Sequence, residues 1–179
     1  MNAIQPFLSS VDAVTDCWLR QWTTNRDNRL RPIVIASSRS WNRPLAENVR
    51  KRTGRDVIFL SRREQVTTDY LGQIKPEVVC LPHWSFIVPQ DVHEKYECVI
   101  FHMTDVPFGR GGSPAQNLIS RGFYETQISA LRCVAEVDSG PVYAKRPLSL
   151  LGSAEEIYLR ILISPTLQYL LSIHSSFAV

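Results

Sequence analysis

Two short stretches of this chain carry residues that could do chemistry. The first, FHMTDVPFGRGGSP (101–114), ends an apolar run at His102 and continues with Thr104 and Asp105. It then passes through Pro107 into a loop of glycines around one arginine, Gly109-Arg110-Gly111-Gly112. The second, EVDSGPV (136–142), sets Asp138 and Gly140 in a turn between two strand-like runs. A histidine exchanges a proton near neutral pH, and glycines allow close backbone approach and φ > 0. Each residue also has a plainer explanation. A lone histidine can be a satisfied core residue, Asp-Ser-Gly forms turns for backbone reasons, and Arg110 can be a surface side chain. Only if the fold brings the two stretches to one edge of a sheet do they make a site.

The elements that would do so are legible as an alternation. PIVIASS (32–38), DVIFLS (56–61), PEVVCLP (76–82) and ECVIFHM (97–103) are short apolar runs of the kind that form buried parallel strands. Between them, residues 44–53 read as a helix with Pro44 at its start and Gly54 after its end, and residues 63–74 as a second helix. PAQNLISRG (114–122) reads as a helix closed by Gly122. Strand-like runs at 126–137 and 141–150, joined by a short turn, predict an antiparallel hairpin at the sheet edge. Ser153 and Glu156 have capping-box spacing at the start of a last helix. The expected class is α/β: a Rossmann-like, open, mainly parallel sheet with flanking helices and an antiparallel edge hairpin. In such sheets ligands bind at the carboxyl ends of strands, where His102 and Thr104 fall, with Asp138 at the turn after another strand.

The expected division is an N-terminal helical extension (1–31), one catalytic domain (32–163) and an apolar tail (164–179). The net charge of +3 is mild and does not demand nucleic acid. Arg39, Arg43, Arg50, Lys51, Arg52, Arg55, Arg62 and Arg63 nevertheless crowd one stretch, either as a solvated helix face or as a rim attracting a phosphorylated ligand. Cys17, Cys80, Cys98 and Cys133 have no paired spacing, which argues against a disulfide scaffold or a metal site. No apolar run reaches the roughly 20 residues of a membrane span. The N-terminus lacks a basic secretory n-region, so a cytoplasmic location is expected.

With these residues in view, FHMTDVPFGRGGSP, followed by EVDSGPVYAKRPLSL and SAEEIYLR, resembles the catalytic core of the N10-formyltetrahydrofolate-dependent formyltransferases. That family includes methionyl-tRNA, glycinamide ribonucleotide and sugar N-formyltransferases, and the resemblance covers roughly residues 32–163. Its signature is Asn-x-His-x-Ser-Leu-Leu-Pro, a glycine-containing loop and a later Asp-x-Gly. His102 matches the histidine, Thr104 stands for the serine, Pro107 matches the proline, and Asp138 and Gly140 match the Asp-x-Gly.

The resemblance implies transfer of a formyl group from N10-formyltetrahydrofolate to an amine. In it, His102 stabilises the oxyanion or shuttles the proton and Asp138 orients the imidazole. The pterin would lie against Trp84, Phe86, Ile87 and Val88 on one loop and Val137 and Asp138 on another. The Arg110-Gly111-Gly112 loop would face the acceptor. One departure stands out: the family's asparagine two residues before the histidine is here Ile100, which cannot donate a hydrogen bond. Thr104, Arg110 and Asn117 are the nearby replacements, with Asn117 preferred.

The family's tRNA-acting members carry a further C-terminal domain, which is not expected in this protein. The expected acceptor is therefore a small molecule, most readily a nucleotide-linked amino sugar, rather than nucleic acid. Two alternatives are a methionyl-tRNA formyltransferase-like protein and a non-catalytic folate-binding module of the same fold. Association through the apolar residues 161–179 would make a homodimer. A dinucleotide-binding protein is disfavoured, because IASSRSW after the first strand contains no GxGxxG.

Overall fold

A computed structural model describes residues 31–163, which contain one six-stranded sheet. In chain order the elements are β1 (Ile33–Ala36), α1 (Arg43–Thr53), β2 (Val57–Leu60), α2 (Thr68–Ile74), β3 (Val78–Leu81) and α3 (Gln90–Lys95). They continue with β4 (Cys98–His102), α4 (Pro114–Ser120), β5 (Glu125–Arg132), β6 (Val142–Ser149) and α5 (Ala154–Ile163). The strand order is β2-β1-β3-β4-β5-β6; the first four are mutually parallel, and β5 and β6 add as an antiparallel hairpin. This is the α/β class expected from the alternation.

Side chains alternate across each strand and feed two cores, one on each face. Ile33, Ile35, Cys80, Val99 and Phe101 pack with Leu45, Val49, Leu118, Ile157 and Ile161, so α1, α4 and α5 cover one face. Val34, Ala36, Val79, Leu81 and Cys98 pack with Leu71 and Val92, so α2 and α3 cover the other. Strands buried on both faces read as continuous apolar runs, which is why the parallel strands were so legible.

Local signals hold at several helix ends. Gly54 closes α1 in the left-handed conformation (φ 67°) and donates to the Arg50 carbonyl. At α5 the capping box forms in both directions: Ser153 N donates to Glu156 Oε2 (2.7 Å) and Glu156 N to Ser153 Oγ (3.3 Å). β6 is the outer strand of the hairpin and contains Pro147, a residue that cannot donate to a ladder. Between the Ala130–Ala144 and Leu131–Val142 pairs its register shifts by a β-bulge at Tyr143.

Three expectations need correction. The helix expected over 63–74 is broken: residues 63–65 form a single 3₁₀ turn, and the α-helix starts only at Thr68, capped by Thr67, whose Oγ1 accepts from Tyr70 N (3.3 Å). The strand expected over 126–137 ends at Arg132, because the chain then turns back on itself. The short helix α3 was not anticipated; six residues carry too little periodicity to announce a helix.

The arginine-rich stretch divides between opposite ends of the sheet. Arg50 donates to the Val57 carbonyl (2.6 Å), and Arg55 is buried against Glu77 and the Arg31 carbonyl, both at the amino ends of the strands. Lys51 and Arg52 lie in the last turn of α1, toward that same end. Only Arg39, Arg43, Arg62 and Arg63 follow the carboxyl ends of β1 and β2.

Cys80, Cys98 and Cys133 are free and buried. Burial pushes the Cys133 thiol up to about 11 and raises those of Cys80 and Cys98 well above the ordinary thiol value, which makes them poor nucleophiles. Cys17 lies outside the described residues, as do residues 1–30 of the expected extension and the tail 164–179. Among the described residues no helix is long and apolar enough to cross a membrane, and no group of three or more His, Cys, Asp or Glu could hold a metal.

Candidate active site

His102 is the last residue of β4, and the pleat of that strand determines what shares its face. Cys98 and Ile100 pack into the core beneath α2 and α3, while Val99 and Phe101 pack into the opposite core. By the same alternation the His102 side chain stands above Ile100 on the α2/α3 face. The position at which the family resemblance places an asparagine therefore lies on the histidine's own side of the sheet. It is filled by a half-buried hydrocarbon.

The turn carrying Asp138 reaches this face by folding back from the end of β5. Cys133 N donates to the Cys98 carbonyl (2.7 Å) and Arg132 N to the Pro141 carbonyl (2.9 Å). The reversal depends on Gly140. A Cβ there would lie 1.9 Å from the Arg132 carbonyl oxygen and 2.9 Å from its carbon, both backbone atoms that cannot swing aside. Asp138 itself adopts φ 53°, a left-handed conformation that Asp and Asn tolerate better than most residues.

His102 and Asp138 are both buried, and Asp138 Oδ2 lies 3.2 Å from His102 Nδ1. The same carboxylate oxygen accepts a hydrogen bond from Gly111 N (3.0 Å). On the other side of the ring, His102 Nε2 lies 2.8 Å from the Gly109 carbonyl oxygen, which also accepts from Thr104 Oγ1 (3.3 Å). Both imidazole nitrogens thus face acceptor oxygens. The doubly protonated ring satisfies both, whereas either neutral tautomer satisfies only one. Gly109, at φ 71°, packs so closely on Thr104 that a Cβ would meet Thr104 Cγ2 at 2.8 Å.

A supporting set holds the loop. Ser129 Oγ, on β5 directly opposite His102, donates to the Thr104 carbonyl (2.7 Å). Lys145 on β6 pairs with Asp105 and donates to the Val106 carbonyl (2.7 Å). The exposed pair Arg110–Glu136 (3.7 Å) joins the glycine loop to the turn that carries Asp138. Asp105 stands in the stretch noted from sequence, but Ser129 and Lys145 were not singled out. Their only signal was the strand pairing, which requires knowing which residue lies opposite which.

His102, Thr104, Asp138 and Gly111 are therefore gathered at one point, with Arg110 and Gly112 in the same loop. Asn117 lies on the exposed first turn of α4, where its amide donates to the Gly112 carbonyl (3.0 Å) and anchors the loop. Of the residues assigned to a flat ring, Phe86, Ile87 and Val137 are exposed. Trp84 packs edge-on to Phe86 with ring centroids 5.3 Å apart, and Arg63 lies over the Phe86 ring at 5.8 Å. Val88 is buried in the α2/α3 core and offers only its backbone. Trp84 Nε1 is buried with no hydrogen-bond partner among the described residues, a donor left open beside this apolar surface.

A second polar cluster lies at the carboxyl ends of β1 and β3. The fully buried Asn42 places its amide nitrogen 2.6 Å from Ser37 Oγ, 3.3 Å from the Pro82 carbonyl oxygen and 3.0 Å from His83 Nδ1. Burial, with Arg39 nearby, lowers the pKa of His83 to about 4, so this ring is neutral at pH 7.

Two expected outcomes follow from this geometry. Gly140→Ala should cost about 3 kcal/mol or more of stability, at the upper end for overpacking, because backbone must move to admit the methyl group. Urea unfolding measures it. For His83 the folded pKa lies below the unfolded value, so its contribution is intact above pH 6.5 and is lost as pH falls toward 4. The total loss should approach about 3 kcal/mol, from 1.36 kcal/mol per pKa unit. His83→Gln should flatten stability across that window in denaturant titrations at stepped pH.

No model of a protein family matches the chain. Over 88 residues it is 28% identical to methionyl-tRNA formyltransferase of Wolbachia pipientis, a match covering 48% of this chain and 29% of that protein. The chain thus spans under a third of the length of the curated relatives it matches. Among solved structures, a methionyl-tRNA formyltransferase from Clostridium thermocellum superposes with a TM-score of 0.75 and 39% identity, covering 81% of this chain and 66% of that one. HypX from Aquifex aeolicus, in complex with tetrahydrofolic acid, shares the fold at a TM-score of 0.70 and 22% identity, covering 84% and 27%. Sequence and structure converge on one lineage: this chain belongs to the formyltransferase family.

Proposed function

We propose that this chain transfers a formyl group from N10-formyltetrahydrofolate to a primary amine, with His102 and Asp138 as the reacting pair. The observation that carries the reading is the buried 3.2 Å contact between Asp138 Oδ2 and His102 Nδ1 at the carboxyl edge of the sheet. Asp138 fixes the imidazole and balances its charge. His102 Nε2, now directed at the Gly109 carbonyl, is the donor available to an acyl oxygen once the loop yields that position. A deprotonated imidazole at the same place takes the amine's proton as nitrogen attacks the formyl carbon, and returns it to N10 as the C–N10 bond breaks and tetrahydrofolate leaves. Thr104 holds the Gly109 carbonyl and thereby the resting position of the loop.

The chain offers a surface suited to the folate ring. Trp84, with its open Nε1 donor, together with Phe86, Ile87 and Val137, would hold a flat heteroaromatic group beside His102. Bound there, the folate would supply the formyl group.

For the acceptor, the relatives change the balance. Methionyl-tRNA formyltransferases stand among the matches in both comparisons, with HypX and glycinamide ribonucleotide transformylases beside them among the solved structures. The amine of methionyl-tRNA is therefore the better-supported acceptor, ahead of a nucleotide-linked amino sugar. Ile100 favours a second reading, in which the fold binds folate without turning it over.

Thermal shift with tetrahydrofolate, paired with transfer of labelled formyl to methionyl-tRNA and to a nucleotide-linked amino sugar, tests these readings. Asp138→Asn should keep the fold, since asparagine tolerates the same φ, and lower transfer by at least about 10²-fold. Stabilisation by folate without product on any amine would leave the binding module. No folate response at all would remove the proposal.

A further inference from the structure

Toward the hairpin, the carboxyl edge of the sheet ends in an apolar surface separate from the His102 centre. Phe108, Ile119, Phe123, Tyr124 and Leu151 are all between 42% and 67% exposed. Local structure gathers them. The Phe108 and Phe123 rings lie with centroids 5.8 Å apart. Ile119 is in the last turn of α4, where Gly122 N donates to its carbonyl (3.0 Å) and Phe123 N to that of Leu118 (3.1 Å). Leu150 N donates to the Tyr124 carbonyl (2.8 Å), which sets Leu151 beside the start of β5. Among these residues opens a groove of 280 Å³, with apolar walls from Phe108, Leu118 and Phe123 and carboxylates from Asp105 and Glu125.

Five such side chains at about half exposure leave on the order of 500 Å² of apolar surface in water, as large as the biggest patch on a typical monomer. A standard protein interface takes about 800 Å² from each partner, so this patch has the size of an interface core that a polar rim would complete. Charge narrows the choice of partner. Arg121 and Glu125 stand exposed at the two ends of the turn that carries Phe123 and Tyr124, and neither is in an ion pair among the described residues. The unpaired carboxylate in the groove disfavours RNA and anionic lipid alike. A cation and an anion flanking one aromatic turn are instead complementary to themselves: across a twofold axis each meets its opposite in the other copy.

We propose that this face joins two copies of the chain about a twofold axis at the Phe123–Tyr124 turn, with Arg121 of each copy paired to Glu125 of the other. Tyr124, the most exposed of the five, enters the groove of the facing copy. Buried aromatic anchors of this kind carry a large share of interface energy. α4 packs on the core opposite the face on which His102 stands, so the dimer leaves the reaction centre open. Phe108 immediately precedes Gly109, whose carbonyl faces His102 Nε2, and the facing copy therefore supports that loop from behind.

Sedimentation of the full chain over a concentration series tests this without folate or acceptor. Wild type should show a concentration-dependent monomer–dimer equilibrium. Tyr124→Ala should weaken it about tenfold or more, as loss of an aromatic anchor does. Arg121→Glu and Glu125→Arg should each weaken it about tenfold, because each sets like charges together twice per dimer. The effect of each reversal should shrink as salt is raised. The double variant, Arg121→Glu with Glu125→Arg, should restore the dimer, an outcome that loss of folding in either single variant could not produce. Wild type that stays monomeric throughout the series overturns the proposal. So does a dimer unchanged in Tyr124→Ala and in both single reversals, which would place association elsewhere, such as residues 161–179. Single reversals that weaken the dimer without rescue in the double variant overturn the twofold arrangement.

Discussion

His102→Ala is expected to lower formyl transfer by about 10²–10⁴-fold, the usual contribution of a positioned acid–base group. The loss should fall on kcat rather than on folate affinity, because the ring surface assigned to the pterin lies on separate loops. Stability should change much less than activity. Removing the ring leaves Asp138 with the hydrogen bond from Gly111 N, so the carboxylate is not stranded. Thr104→Ala provides the comparison: it deletes one 3.3 Å hydrogen bond to the Gly109 carbonyl and leaves the imidazole in place. Single-turnover transfer alongside tetrahydrofolate binding distinguishes these outcomes. Equal losses in the two variants would mean that loop geometry, not the imidazole, limits the reaction.

Ile100→Asn is expected to raise transfer by about 10²–10³-fold, the value of one preorganised donor to a developing oxyanion. The argument is positional. Ile100 and His102 stand on one face of β4, so an amide at 100 would lie directly below the imidazole. The change also removes a half-buried hydrocarbon from contact with the α2/α3 core and installs a polar group. An inadequately hydrogen-bonded amide there costs about 1–3 kcal/mol. The variant should therefore be faster and less stable at once, which parallel rate and urea measurements would detect. Unchanged rate with lowered stability would show that another group already supplies the donor.

The legible parts of this fold were those governed by local rules. Doubly buried strands announce themselves as apolar runs, Gly54 and the Ser153–Glu156 pair mark helix ends, and His102 ends its run with the chemistry it needs. The hidden parts depend on contacts between distant segments. CVAEV (133–137) looked like the continuation of a strand because its composition is strand-like. What turns it back is the absence of a Cβ at Gly140 against a carbonyl on Arg132, and neither residue signals the other. The same limit applies to the basic stretch. Arg39 and Arg55 are near in sequence, yet a helix of eleven residues between them carries the chain from one end of the sheet to the other. Ser37 and Asn42 were passed over for this reason too: nothing in SSRSWN indicates that its asparagine will lie beneath the loop after β3.

The bulge and proline of β6 have a consequence for colloidal behaviour. A strand at the margin of a sheet offers unpaired amides and carbonyls as a template on which a second chain can grow. Here that strand is interrupted at Tyr143, where an extra residue puts Val142 and Ala144 on opposite faces. It is interrupted again at Pro147, and Lys145 and Arg146 add positive charge between the two. Each feature hinders intermolecular ladder formation. Lys145 also pins the Asp105–Val106 segment beside His102. A substitution there would thus loosen the reaction centre and weaken a safeguard against aggregation at the same time.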